Sequence, residues 1–251
     1  METFEKISEE GKEKPINTQE KDLQYHFGGI MEELEYPTSR LIEQLKETID
    51  AGEYDMLIGD DASGRIPTLV MKDIISSRMR VLHPDLTSEE DRNLLKTRFI
   101  ASGRHNANKE QLIAFFRKIK SEIKKKALIV TEFMATGASM EQLAEILEQE
   151  HIPFDIASIA SHSSKRSYQG GGYFLPSILG RRGLFIGSEN ASVPFLYNDS
   201  DLSGVQKKSR GQHLSAHAER PDSVNQERTG QIREDAHVLA DRVLKEVWKN
   251  K

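Results

Sequence analysis

The sequence predicts an α/β protein: a mainly parallel sheet flanked by helices, with a polar N-terminal arm and a C-terminal helical extension. Three observations predict it. Apolar runs of strand length occupy residues 54–59, 127–130 and 152–160. Each run passes into a polar stretch rich in small residues, and after the first two a helical pattern follows. Strands that alternate with helices are joined by crossovers, and crossovers give parallel pairing. The division that follows is an arm over 1–26, an α/β domain over 27–190 and an extension over 191–251.

Composition narrows the function. The 251 residues carry a net charge of −5, which argues against broad, sequence-independent nucleic-acid binding. With no cysteine, disulfides, thiolate zinc sites, iron–sulfur clusters and cysteine nucleophiles are excluded. The first fifteen residues are charged and lack the apolar core of a signal peptide, and no run approaches the roughly 18 apolar residues of a membrane span. A cytoplasmic protein without a membrane role is expected.

In chain order, Phe27-Gly28-Gly29 signals a turn, and a helix is expected from Thr38 or Ser39 to Gly52, with Leu41, Ile42, Leu45 and Ile49 on its apolar face. The strand at 54–59 runs into Asp60, Asp61, Ala62, Ser63, Gly64 and Arg65, read as a polar loop, and a helix follows over 67–77 with Pro67 in its first turn. A capping-box pattern at Thr87-Ser88-Glu89-Glu90 predicts a helix to about residue 98, and composition predicts a loop over 101–108. An amphipathic helix is expected over 110–125, with Leu112, Ile113, Phe116, Ile119 and Ile123 on one face. The polar segment 161–166 stands where ligands sit at the end of a parallel strand, and residues 183–187 form a last short strand. His213 and His217 read as solvated. A helix over 229–249 presents Ile232, Ala236, Leu239, Val243, Val247 and Trp248 for packing, either as a cap on the sheet or against a second copy in a homodimer.

The stretch 127–140 carries the most chemistry. Its apolar strand leads to Thr131 and Glu132, then to Ala135, Thr136, Gly137, Ala138 and Ser139, and then to a helix with Met140, Leu143, Ile146 and Leu147 in register. Such a junction aims free backbone N–H groups and the positive end of the helix dipole at one point, which suits a phosphate. Gly137 lets the backbone approach the anion, and the Thr136 and Ser139 hydroxyls add donors.

This stretch resembles the phosphoribosyl pyrophosphate (PRPP) motif of type I phosphoribosyltransferases: apolar strand, two acidic positions, two variable ones, then T-G-x-[ST]. The resemblance covers about residues 54–160. It implies that Glu132 holds the ribose, with Thr131 at the position of the first acid, and that Ala135 to Ser139 hold the 5′-phosphate. It further implies that Ala62, Ser63, Gly64 and Arg65 form the pyrophosphate loop, with Arg65 reaching the diphosphate. A mobile catalytic loop is implied near 96–109, with Lys96, Arg98, Arg104, His105 and Lys109 as its cations. The expected activity uses Mg²⁺ and moves the 5-phosphoribosyl group to a nitrogen nucleophile, a nucleobase or related small molecule, releasing pyrophosphate. Glu132 and Arg65 are its candidate catalytic residues, and no protein side chain is singled out as a metal ligand. The alternative is a non-catalytic protein of the same fold that senses PRPP or nucleotides.

Overall fold

The computed structural model describes residues 24–87, 94–100, 109–134, 137–161, 183–189, 205–206, 217–218 and 223–249. Five strands form one all-parallel sheet with helices on both faces, an α/β fold. They are β1 (Tyr54–Asp60), β2 (Lys96–Ile100), β3 (Lys126–Met134), β4 (Phe154–Ser161) and β5 (Leu184–Ser188), in the order β2-β1-β3-β4-β5. The chain therefore leaves β1 toward one edge and then builds outward from its other side, which makes the β1/β3 boundary the topological switch point. A two-residue antiparallel pair, β6 (Val205–Gln206) with β7 (His217–Ala218), stands apart from this sheet.

The helices are α1 (Gly28–Asp50), α2 (Asp61–Leu82), α3 (Lys109–Ile119), α4 (Ala138–Gln149) and α5 (Ser223–Trp248). Alternation along the strands sorts the core into two layers. Leu57, Leu128, Val130 and Ile159 pack against α1, α2 and α5, while Met56, Ile58, Ile129 and Ile156 pack against α3 and α4. The C-terminal helix thus joins the domain core: Ile232, Ala236, Leu239, Val243 and Val247 are buried on it, and it lies against α1 and α2.

Several expectations hold. Leu41, Ile42, Leu45 and Ile49 are buried on α1, and Gly52 ends that helix in a Schellman arrangement, with φ +61° and bonds from Gly52 N to Ile49 O and from Glu53 N to Thr48 O. The inward face of α4 is also as expected, and on α3 Leu112, Phe116 and Ile119 are buried while Ile113 is half-buried and Ile123 lies past the helix end.

Others need correction. Helix α1 begins at Gly28, ten residues before Thr38, and runs through Pro37. Pro37 removes one helix hydrogen bond, but Met31 and Leu34 continue the buried stripe upstream of it and offset that loss. Helix α2 begins directly at Asp61, so Ala62, Ser63, Gly64 and Arg65 are its opening turns rather than a loop, and Pro67 lies inside the helix. Residues 96–100 are strand β2 rather than the end of a helix, paired with β1 from Met56↔Lys96 to Asp60↔Ile100. The helix predicted over 110–125 stops at Ile119, and a single 3₁₀ turn follows at Lys120–Glu122.

One carboxylate ties three helices together. Asp50, the last residue of α1, accepts from Arg78 Nε of α2 at 2.6 Å and from Trp248 Nε1 of α5 at 3.1 Å. Partial burial pushes its carboxyl up, but the bonds from Arg78 and Trp248 outweigh that and hold it below the usual aspartate value. A depressed carboxyl contributes stability above its unfolded pKa and loses it as pH falls through the folded value. Stability is therefore expected to drop below about pH 4, and Asp50→Asn should make that drop shallower in urea titrations followed by the fluorescence of Trp248, the single tryptophan.

Candidate functional site

The carboxyl ends of β1 and β3 lie side by side, with Gly59 opposite Val130. From this point α2 departs onto one face of the sheet and α4 onto the other. Two helices thus start on opposite faces from neighbouring strands, the position at which ligands sit in open α/β sheets. Asp60 precedes α2 and makes no N-cap hydrogen bond with its side chain, and Gly137, which precedes α4, has no side chain to cap it.

Close backbone contact fixes this geometry. A Cβ on Gly64 would fall 2.6 Å from the Val130 carbonyl oxygen and 3.0 Å from the Gly59 carbonyl carbon. Only a glycine lets α2 start flush on the β1/β3 pair. A Cβ on Gly59 would in turn meet the Phe99 ring at 2.6 Å and Thr68 Oγ1 at 2.7 Å. Gly64→Ala should force the start of α2 off the sheet, costing about 1–3 kcal/mol, read as a lower urea midpoint. An unchanged midpoint would contradict the contact.

The predicted residues fall as follows. Gly137 has φ +71°, ψ −4°, a left-handed conformation that favours glycine, and its carbonyl accepts from Glu141 N at 2.8 Å to open α4. Ala138 and Ser139 are in the first turn of that helix and half-buried. Ala135 and Thr136 lie outside the described residues. Strand β3 extends past Val130 to Met134, so Thr131 and Glu132 are strand residues and both side chains are buried. Glu132 is 1% exposed and, with Leu34, Thr38, Ile66, Val70 and Leu239, lines a small void beneath α1, α2 and α5. Alternation accounts for this, because Glu132 shares its face with Leu128 and Val130.

The Arg65 guanidinium lies over the Phe99 ring, 4.9 Å from its centre, a cation–π contact at the β2 edge. Of the cations proposed for a catalytic loop, Lys96 and Arg98 are on β2 and both pair with Glu122, at 3.6 and 2.7 Å. Both stand committed to the start of the sheet's edge strand, so neither is a loop cation. Lys109 opens α3 and meets Glu145 at 3.7 Å. Arg104, His105 and residues 162–166 lie outside the described residues, although Ser161, the last residue of β4, is buried beside Met134.

Sequence reasoning missed the part played by Gly59 and Gly64. Two glycines bracketing a strand end and a helix start were the available signal. Among the described residues no three metal-ligating side chains gather, and no helix is long and apolar enough to cross a membrane. No protein-family model, curated protein or solved structure matches the chain.

Proposed function

We propose that the chain binds PRPP with Mg²⁺ at the β1/β3 switch point and transfers the 5-phosphoribosyl group to a nitrogen nucleophile, releasing pyrophosphate. One observation carries this reading: α2 and α4 start from the adjacent strands β1 and β3, on opposite faces, at the switch point of a parallel sheet. Their N-termini suit the phosphates at the two ends of PRPP. The 5′-phosphate would take the amides of Gly137, Ala138 and Ser139, and the diphosphate the opening turn of α2. Asp60 stands at that turn. Mg²⁺ commonly binds through one or two carboxylates together with substrate phosphates, so a carboxylate at the opening of α2 fits it. The metal would neutralise charge on the leaving group. The chain's own task is to hold the sugar and exclude water while the ribosyl carbon exchanges pyrophosphate for nitrogen.

A second reading, a PRPP or nucleotide sensor without turnover, is favoured by Thr131 at the first acidic position and by the enclosed carboxylate of Glu132. Pyrophosphate release separates the two. With PRPP, Mg²⁺ and a panel of nucleobases, the transfer reading expects steady pyrophosphate release, at a rate that Gly137→Ala lowers at least tenfold. PRPP binding with no release from any base would leave the sensor.

A further inference from the structure

We propose a second small-molecule site at the opposite, amino-terminal end of the sheet, which takes an organic anion with an apolar body. A cavity of about 540 Å³ opens there between β1, the start of β2 and α2. That size lies within the range of small-ligand pockets. One wall is apolar, built from Ile75 and Met79 of α2 and from Leu94 and Leu95 ahead of β2.

The other wall is polar and carries an excess of positive charge. Lys96, Lys124 and Lys125 line it against two carboxylates, Asp55 and Glu122. Glu122 is paired, and Asp55 is held through one oxygen, its Oδ1 being buried without a hydrogen-bond partner among the described residues. Asp55 Oδ2 accepts from the backbone amides of Lys124 and Lys125, at 2.6 and 2.9 Å. Glu122 takes both Lys96 and Arg98. The Lys125 ammonium donates to Gly52 O at 2.6 Å. The Lys124 ammonium makes no ion pair among the described residues, and its side chain is exposed.

An apolar wall facing a lysine of uncommitted charge is complementary to an acid with a hydrophobic body. The body would displace water from Met79 and Leu95, and the acid group would meet Lys124. The site is separate from the β1/β3 switch point, because Asp55 and Asp60 stand at opposite ends of β1.

The probe is 1-anilinonaphthalene-8-sulfonate, an anion with aromatic rings, titrated by fluorescence against the folded chain. One saturable site is expected. Lys124→Glu should weaken it at least fivefold, Ser76→Trp should fill the cavity and abolish it, and Lys118→Glu on α3 should leave it unchanged. PRPP should not displace the probe. The proposal is overturned by absence of saturable binding, by Lys124→Glu binding like the wild type, by equal weakening in Lys118→Glu, or by displacement with PRPP. Lys124 is exposed, so its variant tests the site even if Ser76→Trp fails to fold.

Discussion

Gly187→Ala is expected to destabilise the protein by about 3 kcal/mol or more, at the upper end for overpacking. A Cβ there would fall 2.0 Å from the Pro37 carbonyl oxygen of α1 and 2.7 Å from the Ile159 carbonyl oxygen of β4. Both neighbours are backbone, so neither can swing aside as a side chain would. Helix α1 would have to lift from β5, exposing Leu41, Leu45 and the apolar layer they cover. For a chain of this size the loss corresponds to a melting temperature lower by roughly 6–12 °C. Gly230→Ala provides the contrast. Among the described residues nothing beyond its own helix backbone lies within 4 Å of its added Cβ, and in α5 alanine is the better helix former, so a gain of about 0.5–1 kcal/mol is expected. Equal effects of the two substitutions would contradict the packing of α1 on β5.

Asp235→Ala is the second large effect. Asp235 is fully buried on α5, and its two oxygens accept from His26 N and Phe27 N at 2.8 Å each. These amides stand at the entry to α1, where the helix has no partners of its own for them. Truncation leaves two donors without acceptors, each worth about 1–3 kcal/mol when buried. A loss of about 2–5 kcal/mol is expected by the same reasoning, with faster hydrogen exchange at residues 26 and 27. The neighbouring contacts would loosen together, because Tyr25 donates to Glu35 at 2.8 Å and Arg242 of α5 pairs with that same Glu35 at 2.6 Å. Asp235→Asn keeps one acceptor and should cost less. A fully buried aspartate whose removal left the urea midpoint unchanged would contradict its role as the clasp between α5 and α1.

Where the sequence was legible, a strong local signal agreed with the tertiary structure. The apolar faces of α1 and α4, the glycine stop at Gly52 and the strand–helix alternation all follow from periodicity and from residues with fixed conformational preferences. It was opaque where distant contacts override such preferences. Asp61, Ser63 and Gly64 are poor helix formers, yet they open α2 because Gly64 fits against Gly59 and the Val130 carbonyl, a contact to a strand far along the chain. Residues 96–100 offer no apolar run. They form an edge strand through pairing with β1, while Lys96 and Arg98 find their partner in Glu122.

In the candidate site, the junction at Gly137 could be read from composition. The orientation of Glu132 could also have been read, because it falls in register with Leu128 and Val130 on the face that α1, α2 and α5 cover. A search for acidic positions weighs residue type over alternation and so misses that register.

The most direct test of the account is calorimetric titration of the chain with PRPP, with and without Mg²⁺, on the wild type and on Gly137→Ala. Saturable 1:1 binding that strengthens with Mg²⁺ is predicted. The variant should weaken it at least tenfold, because an L-residue at φ +71° pulls the first turn of α4 away from the switch point. Heats no larger than dilution from folded wild-type protein, or equal affinity in the variant, would contradict the assignment of a phosphoribosyl site to the β1/β3 switch point.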